Sequence, residues 1–441
     1  MARQWLTESG TTVLPALNEA LVILVKQLLE AAWKRECRSS PTDFTRAGPL
    51  TPELLVTLLL FMAADAGRRG YSLMLDAFWE EAGRSGIDLS QDRPVSAAAF
   101  CKARRKLKPE LLALFLAMVG KVLGEKHRDK LVWNNRRIFA VDGTRHNLQR
   151  EAELTEHFGV PHGGHCPQML VSTLYDVIGK FPVAATIAPG ASCERQEFLR
   201  LLPQLRSGDV VVLDRGYPSF EVLHALREAG VDFVIRVPRS NSFEAIQAVQ
   251  DSSGHDYIMV IPPSPAAARA GATRMEVRCV RIDVGADDPW LLFTSLRRSD
   301  ATLPQLRSLY HLRWEIEEFY KLLKSDAFSL RQMHAKSVLG VEQELLAQLT
   351  LAAISRLLMA NAVDEHLPER PDLSPKAGIL TLADSIVRLL LCDEPELRLE
   401  HHAALLQRLA RRRLRRRPGR SCPRRSFKPG PRWNSKGRIG G

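Results

Sequence analysis

The sequence predicts an α/β protein in which a mixed β-sheet is flanked by helices, with a β-strand insertion, a helical N-terminal domain and a helical C-terminal region. Three observations lead to this prediction. Short runs of β-branched and apolar residues begin near position 136, and several of them end at an aspartate. Helical segments separate the later runs, as in a sheet with covering helices. Apolar residues at helical spacing dominate the chain before 128 and again after 303.

Residues 1–128 are predicted to form a helical, DNA-binding N-terminal domain. The segment 51–53, Thr-Pro-Glu, has the features of a helix start: a capping residue, a proline in the first turn and an early acid. A further helix begins at Ser96, after a polar turn, and carries Arg104 and Arg105. A helix–turn–helix would place these two arginines on DNA, and a solvated basic face on a bundle helix is an equally good interpretation.

Residues 129–345 are predicted to form the α/β domain. Its elements follow the order strand, strand, strand, helix, strand, helix, strand, and a hairpin joins the second strand to the third. This order is that of ribonuclease-H-like domains. A β-rich stretch at about 241–300 is interpreted as an insertion, because it separates the last sheet strand from the next long helix. The predicted elements are strands at 136–142, 168–177, 181–190, 209–214 and 232–238, with helices at 194–205, 218–230 and 303–324.

Residues 346–407 form a predicted helical C-terminal region, and 408–441 form a basic tail that we expect to be disordered or to fold only on DNA. The tail holds 14 of the 62 Lys and Arg residues and none of the 50 acidic residues, so 48 basic and 50 acidic residues precede it. A nearly neutral body with a basic tail indicates a polyanionic partner.

Cysteine usage and apolar runs predict a cytoplasmic protein without a membrane segment. The seven cysteines are scattered and include no C-x-x-C pair, which is typical of reduced thiols rather than of a disulfide framework. The N-terminus lacks the apolar core of a signal peptide. The longest apolar run, at 54–64, is too short to span a bilayer.

Two predicted strands end in carboxylates. Asp142 follows an apolar run at 138–141, and Asp214 follows another at 210–213. If the strands are neighbours, the two carboxylates lie close together at one rim of the sheet, where a cation is needed to offset their repulsion. Oxygen ligands of this kind suit Mg²⁺ or Mn²⁺. The pattern alone favours ordinary turn aspartates by about two to one, because Asp is common in turns.

The predicted helix at 303–324 adds a third acid. Tyr310, Arg313, Glu317 and Lys324 follow each other at steps of three, four and seven, which keeps all four on one helical face. An acid flanked by cations and a tyrosine suits a face that meets metal and phosphate groups. The alternative is a solvated face with i,i+4 ion pairs, for which charged neighbours are available at Glu315, Glu318 and Lys321.

These residues resemble those of the DDE transposases of the insertion-sequence-four family. Their signature is Y-x-x-R-x-x-x-E-x-x-x-x-x-x-K, and the four helix residues match each spacing. VDGT at Asp142 and LDRGYPS at Asp214 resemble the first and second acidic motifs, with Arg215 in its usual place. The resemblance covers roughly residues 90 to 345.

The resemblance implies a catalytic and metal-binding triad of Asp142, Asp214 and Glu317 that holds two Mg²⁺ or Mn²⁺ ions. It implies DNA contacts by Tyr310, Arg313, Lys324 and Arg215. The implied activity is binding of the terminal inverted repeats of an insertion sequence, followed by metal-dependent cleavage and strand transfer. The implied partners are double-stranded DNA and a second copy of the chain, as a homodimer.

Two further positions fit the same resemblance less specifically. Trp290 matches a tryptophan that stacks on a flipped base in hairpin-forming members, and a core aromatic at a strand end is nearly as good an interpretation. The pair Glu194-Arg195, at a predicted helix start, also resembles the family. An acid at a helix start with an ion pair is an adequate structural explanation for it.

Other functions remain open at this point. A structure-specific nuclease of the ribonuclease-H-like fold would share the three acids, but it should not need the helix with the Y-R-E-K spacing or the β insertion. A non-transposing DNA-binding derivative is a second alternative, and the presence of all three acids argues against loss of the active site. A general polyanion-binding protein would explain the tail alone.

Overall fold

A computed structural model of the chain describes residues 38–46, 48–64, 70–126, 128–130, 132–238, 255–284, 289–325 and 333–414. Eight strands form one mixed sheet in the order β3-β2-β1-β4-β5-β8-β7-β6. Their bounds are β1 Ile138–Asn147, β2 Gln168–Asp176, β3 Phe181–Pro189, β4 Val210–Leu213, β5 Asp232–Val237, β6 Asp256–Ile261, β7 Met275–Ile282 and β8 Trp290–Thr294.

The first five strands confirm the predicted ribonuclease-H-like fold. Strands β1, β2 and β3 form an antiparallel meander, and β4 and β5 then add in parallel on the other side of β1. Two helices make the crossovers, α6 Glu194–Leu201 before β4 and α7 Phe220–Glu228 before β5. All four residues of β4 are buried, as expected for a parallel strand that is covered on both faces.

The predicted β insertion continues this sheet. Strand β8 pairs antiparallel with β5, β7 pairs with β8, and β6 forms the outer edge. A short helix, α8 Pro265–Arg269, lies between β6 and β7. The insertion therefore adds three strands beyond β5, which brings the sheet to eight strands in all.

The helical N-terminal and C-terminal regions share a core. Helix α11 Val338–His366, the longest described, packs against α1 Pro52–Ala64, α4 Glu110–Lys126 and α14 Pro395–Ala410 and also against β3. It is also the one described helix that is long and apolar enough to cross a membrane, but 83% of its most apolar stretch is buried, which is typical of a core helix. The remaining helices are α2 Tyr71–Arg84, α3 Ala97–Arg104, α5 Ala152–Phe158, α9 Leu303–Leu312, α10 Trp314–Leu323, α12 Pro375–Ala383 and α13 Ile386–Leu391.

Two sequence-based boundaries change. The tail was expected to begin at 408, but α14 continues to Ala410 and the chain is described as far as Leu414. The helix expected over 303–324 is two helices, because Arg313 bonds its amide to the carbonyl of Tyr310 at 3.2 Å, three residues back rather than four. Residues 1–37 and 415–441 lie outside the described part.

Candidate active site at the sheet rim

The sheet brings Asp142 and Asp214 to one rim. Strand β1 pairs in parallel with β4 as far as Ala140 and Val212, and β4 ends one residue later. Two further steps in the same register set Asp142 beside Asp214. The expectation that Asp142 ends its strand is wrong, because β1 continues to Asn147 against its other neighbour, β2. Asp142 therefore lies where β1 loses its parallel partner.

The two carboxylates repel each other. Burial and, after it, the negative charge of Asp214 raise the pKa of Asp142 to about 7. The guanidinium of Arg313 and a hydrogen bond from the Gly143 amide, 2.9 Å from Oδ1, lower this pKa and only partly offset the rise. Asp214 accepts a hydrogen bond on Oδ1 from the amide of Gly216, at 2.8 Å. The rim thus holds two neighbouring acids without a cation that fully compensates them.

Helix α10 is fixed against this rim by two hydrogen bonds to β1. The hydroxyl of Tyr320 donates to the backbone carbonyl of Asp142 at 2.7 Å, and Nζ of Lys324 donates to Oγ1 of Thr144 at 2.5 Å. Sequence reasoning missed Tyr320 and Thr144. The available signal was spacing, since Tyr320 lies three residues after Glu317 on the helix.

Glu317 is placed on α10 but is paired elsewhere. Its Oε1 accepts a hydrogen bond from Nη2 of Arg313 at 2.5 Å, across the break between α9 and α10. Within the described ranges, no three His, Cys, Asp or Glu side chains are grouped so that they could hold a metal ion. The structure therefore brings together the two aspartates and leaves the glutamate with its neighbouring arginine.

Tyr310, near the end of the helix Leu303–Leu312 (α9), connects this helix to the β insertion. Its ring is buried and lies 5.0 Å, centroid to centroid, from the ring of Trp290 at the start of β8. The guanidinium carbons of Arg236 and Arg313 lie 5.7 Å and 5.9 Å from the centroids of the Trp290 and Tyr310 rings, respectively. Trp290 is half-buried, which fits both a core aromatic and a base-stacking contact.

Glu194 approaches the rim more closely than its sequence position suggests. A side chain at Gly143 would place its Cβ 2.8 Å from Cδ of Glu194, so the glutamate occupies the space that the glycine leaves. Glu194 forms its ion pair with Arg145 at 3.1 Å, not with the adjacent Arg195. Its negative charge is one of the causes that raise the pKa of Asp142. Glu194 is thus a third acid near the pair.

The loop after Asp214 carries two arginines of different character. Arg215 is exposed and stays a predicted DNA contact. Nε of Arg195 donates to the carbonyl oxygen of Gly216 at 2.8 Å, so it fixes the loop from α6.

Arg104 does not fit its predicted contact with DNA. It is 4% exposed, and its guanidinium donates to Oε1 of Gln343 at 2.8 Å, to Oε1 of Glu344 at 3.1 Å and to the carbonyl of Gly340 at 2.8 Å. These partners all belong to α11, so the arginine anchors α3 to the core. Arg105 is exposed and remains a predicted DNA contact.

Comparison with known proteins identifies the family. Residues 133–354, half of the 441-residue chain, match the family described as transposase DDE domain. The chain belongs to this family. No curated protein matches it. Among solved structures it is similar to the piggyBac transposase in a synaptic complex with hairpin DNA, at 13% identity and a TM-score of 0.46, covering 92% of this chain and 86% of that one.

Proposed function

We propose that the protein is a DNA transposase whose active site is built from Asp142, Asp214 and Glu317. The observation that carries this proposal is the aspartate pair, which adjacent parallel strands set side by side at the rim facing α10. A structural role does not account for this pair, because a buried carboxylate beside a second one costs stability. Membership of the transposase DDE domain family supports the same reading.

The family implies a divalent metal, and the aspartate pair fits one. Both groups are oxygen donors, and a divalent cation between them would replace their repulsion with attraction. We propose that Asp142 and Asp214 hold Mg²⁺ or Mn²⁺, that Glu317 joins them after leaving Arg313, and that two ions bind at each site. When bound, the metal would activate the attacking oxygen and stabilise the leaving oxygen of a phosphodiester.

Two cationic residues, Arg313 between α9 and α10 and Lys324 directly after α10, would orient the DNA backbone. Arg313 and Lys324 lie on either side of Glu317, and each carries donors that suit phosphate oxygens. Arg215 would do the same from the loop after Asp214. Tyr310 is implied by the family resemblance as a DNA contact, but its side chain is buried. We propose instead that it holds Arg313 and Trp290 in place by ring contacts. If Trp290 stacks on a flipped base, the second strand is cut through a hairpin.

We also propose that the protein belongs to the insertion-sequence-four group of transposases. The Y-R-E-K spacing supports this assignment. In that role the protein would bind the terminal inverted repeats of its own element as a homodimer on double-stranded DNA. It would then free a 3′-hydroxyl at each end and join the ends to target DNA.

Cleavage of a DNA fragment that bears the element's end, in the presence of Mg²⁺, tests the proposal. Asp142→Ala, Asp214→Ala and Glu317→Ala should each abolish cleavage while binding of the fragment persists. Glu318→Ala is the matched control, because this exposed neighbour pairs with Lys321 and Trp314 and should cleave normally. Full cleavage by any of the three variants would refute the assignment of that residue.

A further inference from the structure

We call the sheet rim that carries Asp142 and Asp214 the acidic rim, and a second charged feature lies outside it. A groove of about 680 Å³ opens between α1, α2, α12, α13 and α14, and we call it the arginine groove. None of its lining residues belongs to β1, β4 or α10. Its charged residues are Arg84, Arg388, Arg408, Arg412, Glu81 and Asp384.

The charges in the arginine groove do not balance. Four guanidinium groups face two carboxylates. The largely buried carboxylate of Glu81 pairs with both Arg84, at 3.2 Å, and Arg388, at 3.4 Å. One negative charge shared by two arginines leaves a net positive charge around Glu81. Arg84 is 67% exposed, so its guanidinium is accessible to a ligand.

The remaining charges of the arginine groove show the same excess. Arg408 pairs with Asp384 at 3.1 Å. Nε of Arg412 donates to the hydroxyl of Thr381 at 3.3 Å, and among the described residues no carboxylate lies within ion-pair distance of it. Arg412 is exposed. The groove therefore presents two accessible guanidinium groups, those of Arg84 and Arg412, and too few carboxylates to balance its four arginines.

The ligand that best matches this arrangement is a phosphodiester backbone. Guanidinium groups present planar, paired donors that suit phosphate oxygens, and a polyanion carries several phosphates for the several arginines of the groove. The sequence after Leu414 continues with ten Lys and Arg residues and no acid, which adds positive charge directly after Arg412.

We propose that the arginine groove binds the phosphate backbone of double-stranded DNA, outside the segment that occupies the acidic rim. The contact is independent of base sequence, because it uses charge and phosphate geometry alone. It does not require that Asp142, Asp214 and Glu317 are catalytic. An acidic protein segment is the other polyanion with suitable charge, but the four arginines of the groove and the basic sequence beyond it favour a long, uniformly charged chain.

The test is the salt dependence of binding to a random-sequence DNA duplex by the full chain. The double variant Arg84→Gln/Arg412→Gln removes the two accessible charges, and both side chains are exposed enough for the fold to persist, which thermal unfolding checks. We expect binding roughly ten- to thirty-fold weaker at physiological ionic strength, with a slope of log affinity against log salt about 2 smaller.

The matched control is Arg200→Gln/Arg227→Gln, which removes two exposed arginines that lie outside the groove, on α6 and at the end of α7. This variant should keep the wild-type slope. The proposal is overturned if the groove variant binds DNA with the wild-type slope, or if the control loses as much as the groove variant does. In the first case an acidic protein segment becomes the better occupant. Neither outcome bears on cleavage by the aspartate variants.

Discussion

In the helical body Arg104 is buried among partners that satisfy its charge, whereas at the sheet rim Asp142 is buried beside another carboxylate. Glu344 accepts hydrogen bonds from Arg104, from the hydroxyl of Tyr71 and from the amides of His334 and Ala335. The rim offers Asp142 one backbone amide and the charge of Arg313, which do not offset burial and the like charge of Asp214. The first arrangement stabilises the fold, and the second is tolerated at a cost, which is the usual sign of a functional group.

The largest expected effect tests the compensated region. Glu344→Ala leaves the Arg104 guanidinium buried without its counter-charge and should lower the free energy of unfolding by about 3–5 kcal/mol. Urea unfolding measures this decrease in the free energy of unfolding. Glu125→Ala is the control, because Glu125 pairs with Lys121 at the surface and should cost at most about 1 kcal/mol. Equal effects would show that the Arg104 pair contributes no more than a surface one.

The uncompensated region should respond with the opposite sign. Asp142→Asn removes a carboxyl whose pKa burial and Asp214 raise to about 7. At pH values below the pKa of the unfolded state, near 3.9, this carboxyl does not lower the stability of the wild type, because it is protonated in both states. The loss of stability grows as the pH rises and is complete above pH 7. The variant should therefore be more stable by about 1–3 kcal/mol at pH 8 without metal, and the gain should vanish near pH 4.

Thermal unfolding across this pH range measures the difference. Asp209→Asn is the control, since Asp209 is buried but forms an ion pair with Arg137. It should lose stability at pH 8. A destabilised Asp142→Asn at pH 8 would mean that the rim is as well compensated as the core.

A smaller effect should follow from the bond that joins α10 to β1. Tyr320→Phe removes the hydroxyl that donates to the Asp142 carbonyl and should cost about 1 kcal/mol. Tyr217→Phe is a matched control, because Tyr217 is fully buried and its hydroxyl has no hydrogen-bond partner among the described residues. Its loss should be neutral or stabilising. Comparable destabilisation by both variants in urea unfolding would contradict this contact.

The smallest effect concerns Gly143 and Glu194. Gly143→Ala would push the end of the Glu194 side chain away from β1 and weaken its pair with Arg145, at a cost of about 1 kcal/mol. Adding Glu194→Ala should remove most of that cost, because the clash disappears. A double-mutant cycle measures this coupling. Strictly additive costs would indicate that the two residues do not touch.

Local patterns predicted the strands of the sheet but did not decide whether Asp142 and Asp214 lie side by side. The apolar runs before Asp142 and Asp214 identify β1 and β4, and the parallel pairing of these strands is seen only in the structure. The length of β1 was not predictable in this way. Its pairing with β2 extends the strand past Asp142, and that pairing depends on a segment more than twenty residues later.

Long-range packing decided the rest. Arg104 has a basic neighbour and a helical position that suit DNA, but its partners lie on α11, more than 230 residues away. The break at Arg313 divides a helix that apolar spacing alone predicts to be continuous. The closeness of Glu194 to Asp142 depends on the missing side chain at Gly143, which spacing along the chain does not reveal.

The most direct test of the central claim is Mn²⁺ binding to the full chain at pH 8, followed as the rise in Tm with metal concentration. If the rim holds its two aspartates for a cation, Mn²⁺ should stabilise the wild type, because the ion binds only the folded site. Asp142→Asn/Asp214→Asn should show no rise, although it is more stable than the wild type without metal. An equal rise in both proteins would contradict the assignment of the rim as the metal site.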